Sequence, residues 1–539
     1  MDEMQDDPTA GENGADEIQP IVIHPELQGD GREFGEPVIE RRAQRRRSTD
    51  KDYGLIPAGR LAPDGESYSP PELTVGGETK RAFSLDALRG LFLLSMTFGF
   101  TIMSEHLPAW MYHRQFNPQD QLINVFGISW RDLAYASFLF TMAAAIPLTL
   151  TRRMEHGEPE IGIVFASFRR WFMLLAFSLL VAYSNTFFLG YTDIGRLLSL
   201  VGFALMWLVF TRRRKDWNST RFKILNRLGW VGTIAFLALS PLAYGKTFTF
   251  AQNDDIITGL AFAALAGSLI WYFTRTMLQW RLAILAGVVA LYWSAHQDGW
   301  VQHFYYSTPV PGIIETSMLS LLCVVIPGTI AGDILLRWMR SGENEHTVAR
   351  LWTNGRILLL SAICLALTPV VTVGLYNRWV EATTLAVVAL VIAGFALVRS
   401  PRTAGETLLR SLYMWGALWL MIGLFLEPAE GGIRKVPETL SYFFTVTGTT
   451  SMLLVAMAAL IDLLKKRRFM HVLIDLGHNP LLTYVLFTVF LNSAFELIHP
   501  LQTVLEGSPG ESILRSIIMT VITVIIVRFF TRRRIFWRT

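Results

Sequence analysis

From Ala82 onward the sequence returns repeatedly to apolar runs of about 20 residues, the length a helix needs to cross the hydrocarbon core of a bilayer. The candidate runs are 82–103, 132–150, 171–188, 193–211, 229–245, 256–274, 282–295, 316–336, 357–376, 382–398, 411–427, 441–463, 479–497 and 513–531. Lipid offers no partner to a backbone N–H or C=O, so long apolar runs without strand alternation must be helices. The expected fold class is all-α: a polytopic integral membrane helix bundle of about 11–14 transmembrane helices, a few of the runs being short. Composition points the same way. Only 17% of the 539 residues are charged and 52% are apolar, against about 25% charged in soluble domains.

Residues 1–79 read differently, as a disordered cytoplasmic tail preceding a membrane domain over 80–539. The tail holds 8 Lys/Arg against 18 Asp/Glu and no run long enough to bury. Arg41, Arg42, Arg45, Arg46 and Arg47 cluster within it, as a plain solvated charge run or as a clamp on anionic lipid. Beyond residue 79 there are 40 basic and 26 acidic residues. With the tail inside, 31 of those 40 fall in inner segments and six in outer ones, so both termini are expected in the cytoplasm. Basic residues set between apolar runs suit a membrane surface and do not form a nucleic-acid face.

Several chemistries have no signature. Cys323 and Cys364 lie inside apolar runs, and no histidine pair has HExxH spacing, so no metal is expected. There is no phosphate-binding glycine loop and no GxSxG.

Four places carry polar groups where a membrane makes them expensive. In Ser84-Leu85-Asp86-Ala87-Leu88-Arg89-Gly90, Asp86 and Arg89 share a helical face, either as a structural ion pair or with Arg89 meeting an anionic cofactor from the cytoplasm. The first outer loop holds Trp110, Tyr112 and His113 and leads to Trp130 and Asp132. These aromatics could be an interfacial belt and His113 a solvated residue. A sugar-binding mouth also needs aromatic platforms, and a histidine with a carboxylate to orient it is equipped for general-base chemistry. In Gly477-His478-Asn479-Pro480, Asn479 at the N-cap and Pro480 at the first helical position mark a helix start, which is also a ready anion site. The outer stretch from His296 and Asp298 to His303 is a linker or the far wall of a polyol site.

The segments Arg81–Gly90, Pro108-Ala109-Trp110-Met111-Tyr112-His113, Gly127–Leu133, Val325–Thr329, Gly477–Tyr484 and Arg532–Trp537 resemble the transmembrane acetyltransferases related to heparan-alpha-glucosaminide N-acetyltransferase, closest to their bacterial branch associated with N-acetylglucosamine use. The resemblance spans about 81–539 and is most specific in its N-terminal segments. It implies transfer of acetyl from cytoplasmic acetyl-CoA to an amino sugar on the far side of the inner (cytoplasmic) membrane. It also puts the catalytic roles on His113 and Asp132. The lysosomal enzyme's His lies closer to its Asp, where direct spacing gives Leu122 here, and its Asn is replaced by Phe98-Gly99-Phe100-Thr101. Asp86, Arg89, His478 and Asn479 become the expected donor site, and Trp110, Tyr112, Trp130, His296 and Asp298 the expected acceptor wall.

The chemistry fits that layout. A hexosamine amine is largely protonated at neutral pH, and an imidazole of ordinary pKa about 6.5 is suited to deprotonate it. Expected partners are the amino sugar or glycan end, membrane lipid and, as a homodimer, a second copy of the chain; nucleic acid is not among them. Two readings compete: an amino-sugar transporter, against which the lack of an internal repeat argues weakly, and an O-acetyltransferase of an envelope glycan.

Overall fold

The computed structural model describes residues 74–75, 78–79, 81–102, 107–116, 121–214, 216–341, 352–498 and 508–539. The tail expected over 1–79 lies outside them, apart from the two-residue ladder Thr74–Val75 with Glu78–Thr79. His24, His106, His346 and His499 also lie outside.

Among the described residues thirteen helices are long and apolar enough to cross a membrane. They are α1 Phe83–Thr101, α2 Leu133–Glu155, α3 Glu160–Ser184, α4 Asp193–Phe210, α5 Ser219–Ala243, α6 Asp255–Thr274, α7 Leu278–Ala295, α8 Thr316–Arg340, α9 Asn354–Tyr376, α10 Val380–Leu397, α11 Ala404–Leu426, α12 Leu440–Leu463 and, last in the chain, α15 Pro509–Arg532. Between the last two, α13 Arg467–His478 and α14 Pro480–Glu496 meet at 83° and together count as a fourteenth. The protein is an all-α, multi-pass membrane bundle.

Polar residues placed just before the apolar runs start many of these helices. Thr192, Asn218, Asp254, Thr353, Thr439 and Ser508 each accept a backbone N–H from the first turn of the helix they precede. Thr403 and Glu406 form a reciprocal capping box on α11. Each cap satisfies donors that lipid could not.

Burial sorts the helices into layers. In α8 and α12, 89% and 94% of the apolar window is buried, against 17% in α5 and α10, so the first pair is central and the second peripheral. Lipid is as apolar as leucine and gives no hydrophobic drive between helices, so close packing at small residues holds them. Gly423 and Gly448 bring the backbones of α11 and α12 together, and Gly328 and Gly332 do the same for α8 against α2. A close crossing also joins α1 to α13: a Cβ on Gly90 would run into the Leu473 carbonyl, and one on Gly477 into the Asp86 carbonyl.

Helix α13 was not among the expected runs. Its sequence, Arg467-Arg468-Phe469-Met470-His471 onward, is too polar for a spanning signal. It folds because Ile474, Leu476 and Gly477 are buried while Arg468, Phe469 and His471 stay exposed, an amphipathic pattern. Two π-helical segments flank this region, Ala458–Leu463 at the end of α12 and Leu486–Leu491 inside α14.

The loops gather at two ends. At one, Arg340 pairs with Glu155, Thr211 bridges to Trp537, and Arg528 Nε donates to Asp475 at 3.2 Å. At the other, the Gly127 N–H donates to Ile433 O at 2.7 Å, Tyr292 Oη to Glu438 O at 2.8 Å and Asn253 Nδ2 to Gly312 O at 3.0 Å. Arg378 and Glu427 also pair there. The residues expected to bind acceptor and donor therefore fall at opposite ends of the bundle.

Candidate functional site

The segment between α1 and α2 folds around one carboxylate. Asp132, fully buried at the start of α2, accepts from the Ser129 N–H at 2.8 Å, the Ser129 hydroxyl at 3.0 Å and the Arg114 N–H at 3.2 Å on Oδ2. Its Oδ1 lies 2.6 Å from His113 Nδ1. With the carboxylate as acceptor, Nδ1 carries the ring proton and Nε2 keeps its lone pair. The segment is braced from outside: Gln115 Nε2 donates to Gly127 O at 2.8 Å, and Gly127 adopts φ 112° where it passes against Leu375 of α9.

The electrostatics keep the two groups in complementary states. Burial alone would raise the Asp132 pKa, but the hydrogen bond and charge of His113, the Lys435 ammonium and the Ser129 N–H together hold it at about 2. Burial and then the charge of Lys435 lower the His113 pKa, against the opposing pull of Asp132. Lys435 Nζ lies 3.4 Å from His113 Nδ1; burial and Arg131 lower its own pKa. At neutral pH the result is an unprotonated imidazole oriented by a carboxylate, with two cations beside it.

His113 opens onto a cleft. Its walls come from the last two turns of α1 (Ser95, Met96, Gly99, Phe100), from Arg131, Ala134 and Tyr135, from Ile256, from Lys435, and from Tyr484 and Phe487 of α14. Phe487 belongs to the π-helical segment of α14, an irregularity that often marks functional positions.

The expected acceptor wall is not what lines this cleft. Trp110 is exposed; Tyr112 is buried, its hydroxyl accepting the Leu107 N–H at 3.1 Å. Trp130 packs on Phe98, ring centroids 6.0 Å apart. His296 and Asp298 are exposed, with His296 Nδ1 2.9 Å from Tyr292 O at the end of α7. Motif order did not separate aromatics that build the loop from those that line the cleft. The residues that do line it and were missed are Arg131, Tyr135, Lys435 and Tyr484. Arg131 and Tyr484 lay inside quoted motifs; Lys435 stood out only as one of six basic residues on the outer side.

At the other end, Asp86 Oδ2 lies 3.0 Å from both Arg81 Nη2 and His478 Nε2, and Arg89 Nη1 lies 3.5 Å from Asp86 Oδ1. Arg89 also donates to Gly477 O and Thr141 O, each at 3.3 Å, tying α1 to α13 and α2. Asn479 corrects an expectation. It precedes Pro480 as expected, but its side chain makes no cap bond. Its amide is fully buried, donating to Ile535 O at 3.0 Å and accepting the Trp537 N–H at 3.0 Å. The segment after α15 takes up the polar atoms that an anion or a helix start would have used.

Among the described residues no group of three or more His, Cys, Asp or Glu could hold a metal ion. No curated protein sequence matches the chain. Residues 81–335, which carry His113, Arg131, Asp132 and Tyr135, match the family model described as a domain of unknown function (DUF5009).

Proposed function

We propose that the protein is a membrane acetyltransferase that moves acetyl from cytoplasmic acetyl-CoA to the amino group of a hexosamine bound at the opposite face of the inner membrane. The observation that carries this reading is the His113–Asp132 pair opening on a cleft beside Lys435 and Arg131. In this reaction Nε2 of His113 takes a proton from the acceptor ammonium, and the freed amine attacks the thioester carbonyl. The resulting oxyanion is stabilised by the Lys435 and Arg131 charges. The C–S bond then breaks as the amide forms, and the second amine proton leaves with the thiolate as free CoA. Arg89 and Gly99 are ten residues apart on α1, about 15 Å at 1.5 Å per residue. A donor anchored at the basic end therefore needs an acyl arm of that reach.

The deciding experiment gives the purified protein acetyl-CoA with glucosamine or N-acetylglucosamine and measures free CoA. Release with glucosamine alone is the expected result. No release, together with sugar uptake into proteoliposomes, would replace this reading by a transporter.

Two further outcomes bear on the layout. Reporter fusions at Thr539 and Gly431 should read opposite sides of the membrane, with Thr539 cytoplasmic; the same side for both would separate the dyad from the face assigned to it. For the donor, Arg89→Gln is expected to weaken acetyl-CoA binding about 10-fold, the loss of one charge-assisted contact, measured on folded protein below its unfolding temperature, which should fall as well because Arg89 ties α1 to α2 and α13. Unchanged acetyl-CoA binding with a lowered unfolding temperature would leave Arg89 only that structural role.

A further inference from the structure

Two phenols line the same cleft and have no part in the chemistry above: Tyr135 of α2 and Tyr484 of α14. Their settings are complementary. Tyr484 is buried, and its hydroxyl donates to Asp254 Oδ2 at 2.9 Å. The other oxygen of Asp254 accepts the Ile257 N–H at 2.9 Å at the start of α6, so the carboxylate is held through both oxygens. With its proton committed, the Tyr484 oxygen has only lone pairs to offer a third group.

Among the described residues the Tyr135 hydroxyl makes no hydrogen bond. It lies over Gly259 of α6, where a Cβ would collide with the phenolic oxygen; the glycine makes the room the hydroxyl occupies. A phenol at a cleft wall normally finds a partner. Tyr135 thus offers one donor and acceptor capacity, and Tyr484 an acceptor, in a cleft that Arg131 and Lys435 also line. Neighbouring hydroxyls on a sugar ring present the matching set of donors and acceptors.

We propose that Tyr135 and Tyr484 bind the hydroxyls of a polyol, with Asp254 as the positioning residue that orients Tyr484. That the polyol is the hexosamine acceptor rests on the function proposed above; the subsite itself is testable without any transfer.

The test is equilibrium dialysis of the full-length purified protein with radiolabelled glucosamine, in the absence of acetyl-CoA. Tyr135→Phe and Tyr484→Phe should each weaken binding about 3- to 10-fold, the net worth of a neutral hydrogen bond, while His156→Gln, an exposed residue at the other end of the bundle, leaves it unchanged. Asp254→Asn should weaken binding as Tyr484→Phe does, and the double variant should lose no more than either single one, a non-additivity that general destabilisation would not produce. A glucosamine analogue lacking the hydroxyl that Tyr135 contacts should bind wild type and Tyr135→Phe alike. Unchanged binding in both Phe variants, or no glucosamine binding by the wild type, would overturn the proposal. Binding that responds to the variants as stated, in a protein that releases no CoA, would uphold this subsite and reject the transferase reading instead.

Discussion

His113→Ala is expected to lower acetyl transfer about 10²-fold or more, the usual contribution of a general base, with acetyl-CoA binding nearly intact because the proposed donor site at the opposite end is untouched. A surface histidine would show no such split between turnover and binding. His156→Ala, an exposed residue at the other end whose Nδ1 lies 2.7 Å from Arg152 O, is the matched control. Asp132→Asn should cost a similar factor, because an amide is a poor substitute for the acceptor that keeps the proton on Nδ1 and the lone pair on Nε2. The pH profile gives an independent sign. Burial and the Lys435 charge lower the His113 pKa, so activity should hold through pH 6.5, the ordinary imidazole value, and fall only as pH drops through the lowered one. Between those two values the unfolded chain binds the extra proton, so stability also rises with pH across that window. The Asp132 contribution is present above the ordinary carboxylate range and is lost as pH falls towards about 2. A profile centred above 6.5, or near wild-type turnover in His113→Ala, would remove His113 from the mechanism.

Gly477→Ala is expected to disrupt folding, at a cost at or beyond the roughly 3 kcal/mol upper end of ordinary overpacking. The added Cβ would meet the Asp86 carbonyl, and backbone cannot step aside as a flexible side chain can. Gly90→Ala should behave alike, because its Cβ would meet the Leu473 carbonyl across the same crossing. Gly287→Ala in α7, where nothing lies within 4 Å of the new atom, should instead be neutral or stabilising by up to about 1 kcal/mol through helix propensity. Thermal unfolding and size-exclusion profiles of the three variants check the contrast. Equal tolerance of all three would mean that α1 and α13 do not approach this closely. The crossing also brings His478 to Asp86, so separating these helices should loosen the proposed donor site as well.

The sequence by itself determined the helical class and nearly every spanning segment, because spanning is a one-dimensional property: enough apolar residues in a row, with the backbone satisfied internally. It also marked many helix starts, since a capping side chain acts on its own next turn, as Thr403 and Glu406 do. The pairing of His113 with Asp132 was legible for a related reason, since both stand in one short segment whose motifs name them. What only the tertiary structure decided depends on residues far apart in the chain. Lys435 reaches His113, and Tyr484 reaches Asp254, across 322 and 230 positions. Helix α13 is held by its contact with α1 and carries too many charges to signal itself. Asn479, read locally as a cap, is claimed by Ile535 and Trp537 more than fifty residues on. The loop aromatics had the composition of a binding platform, yet the packing of α1, α2, α6 and α14 gave the cleft wall to two tyrosines. Local chemistry fixes how many of the helices begin and that they cross; which side chains share a cavity is settled by helix crossings, which depend on small residues distributed through the chain.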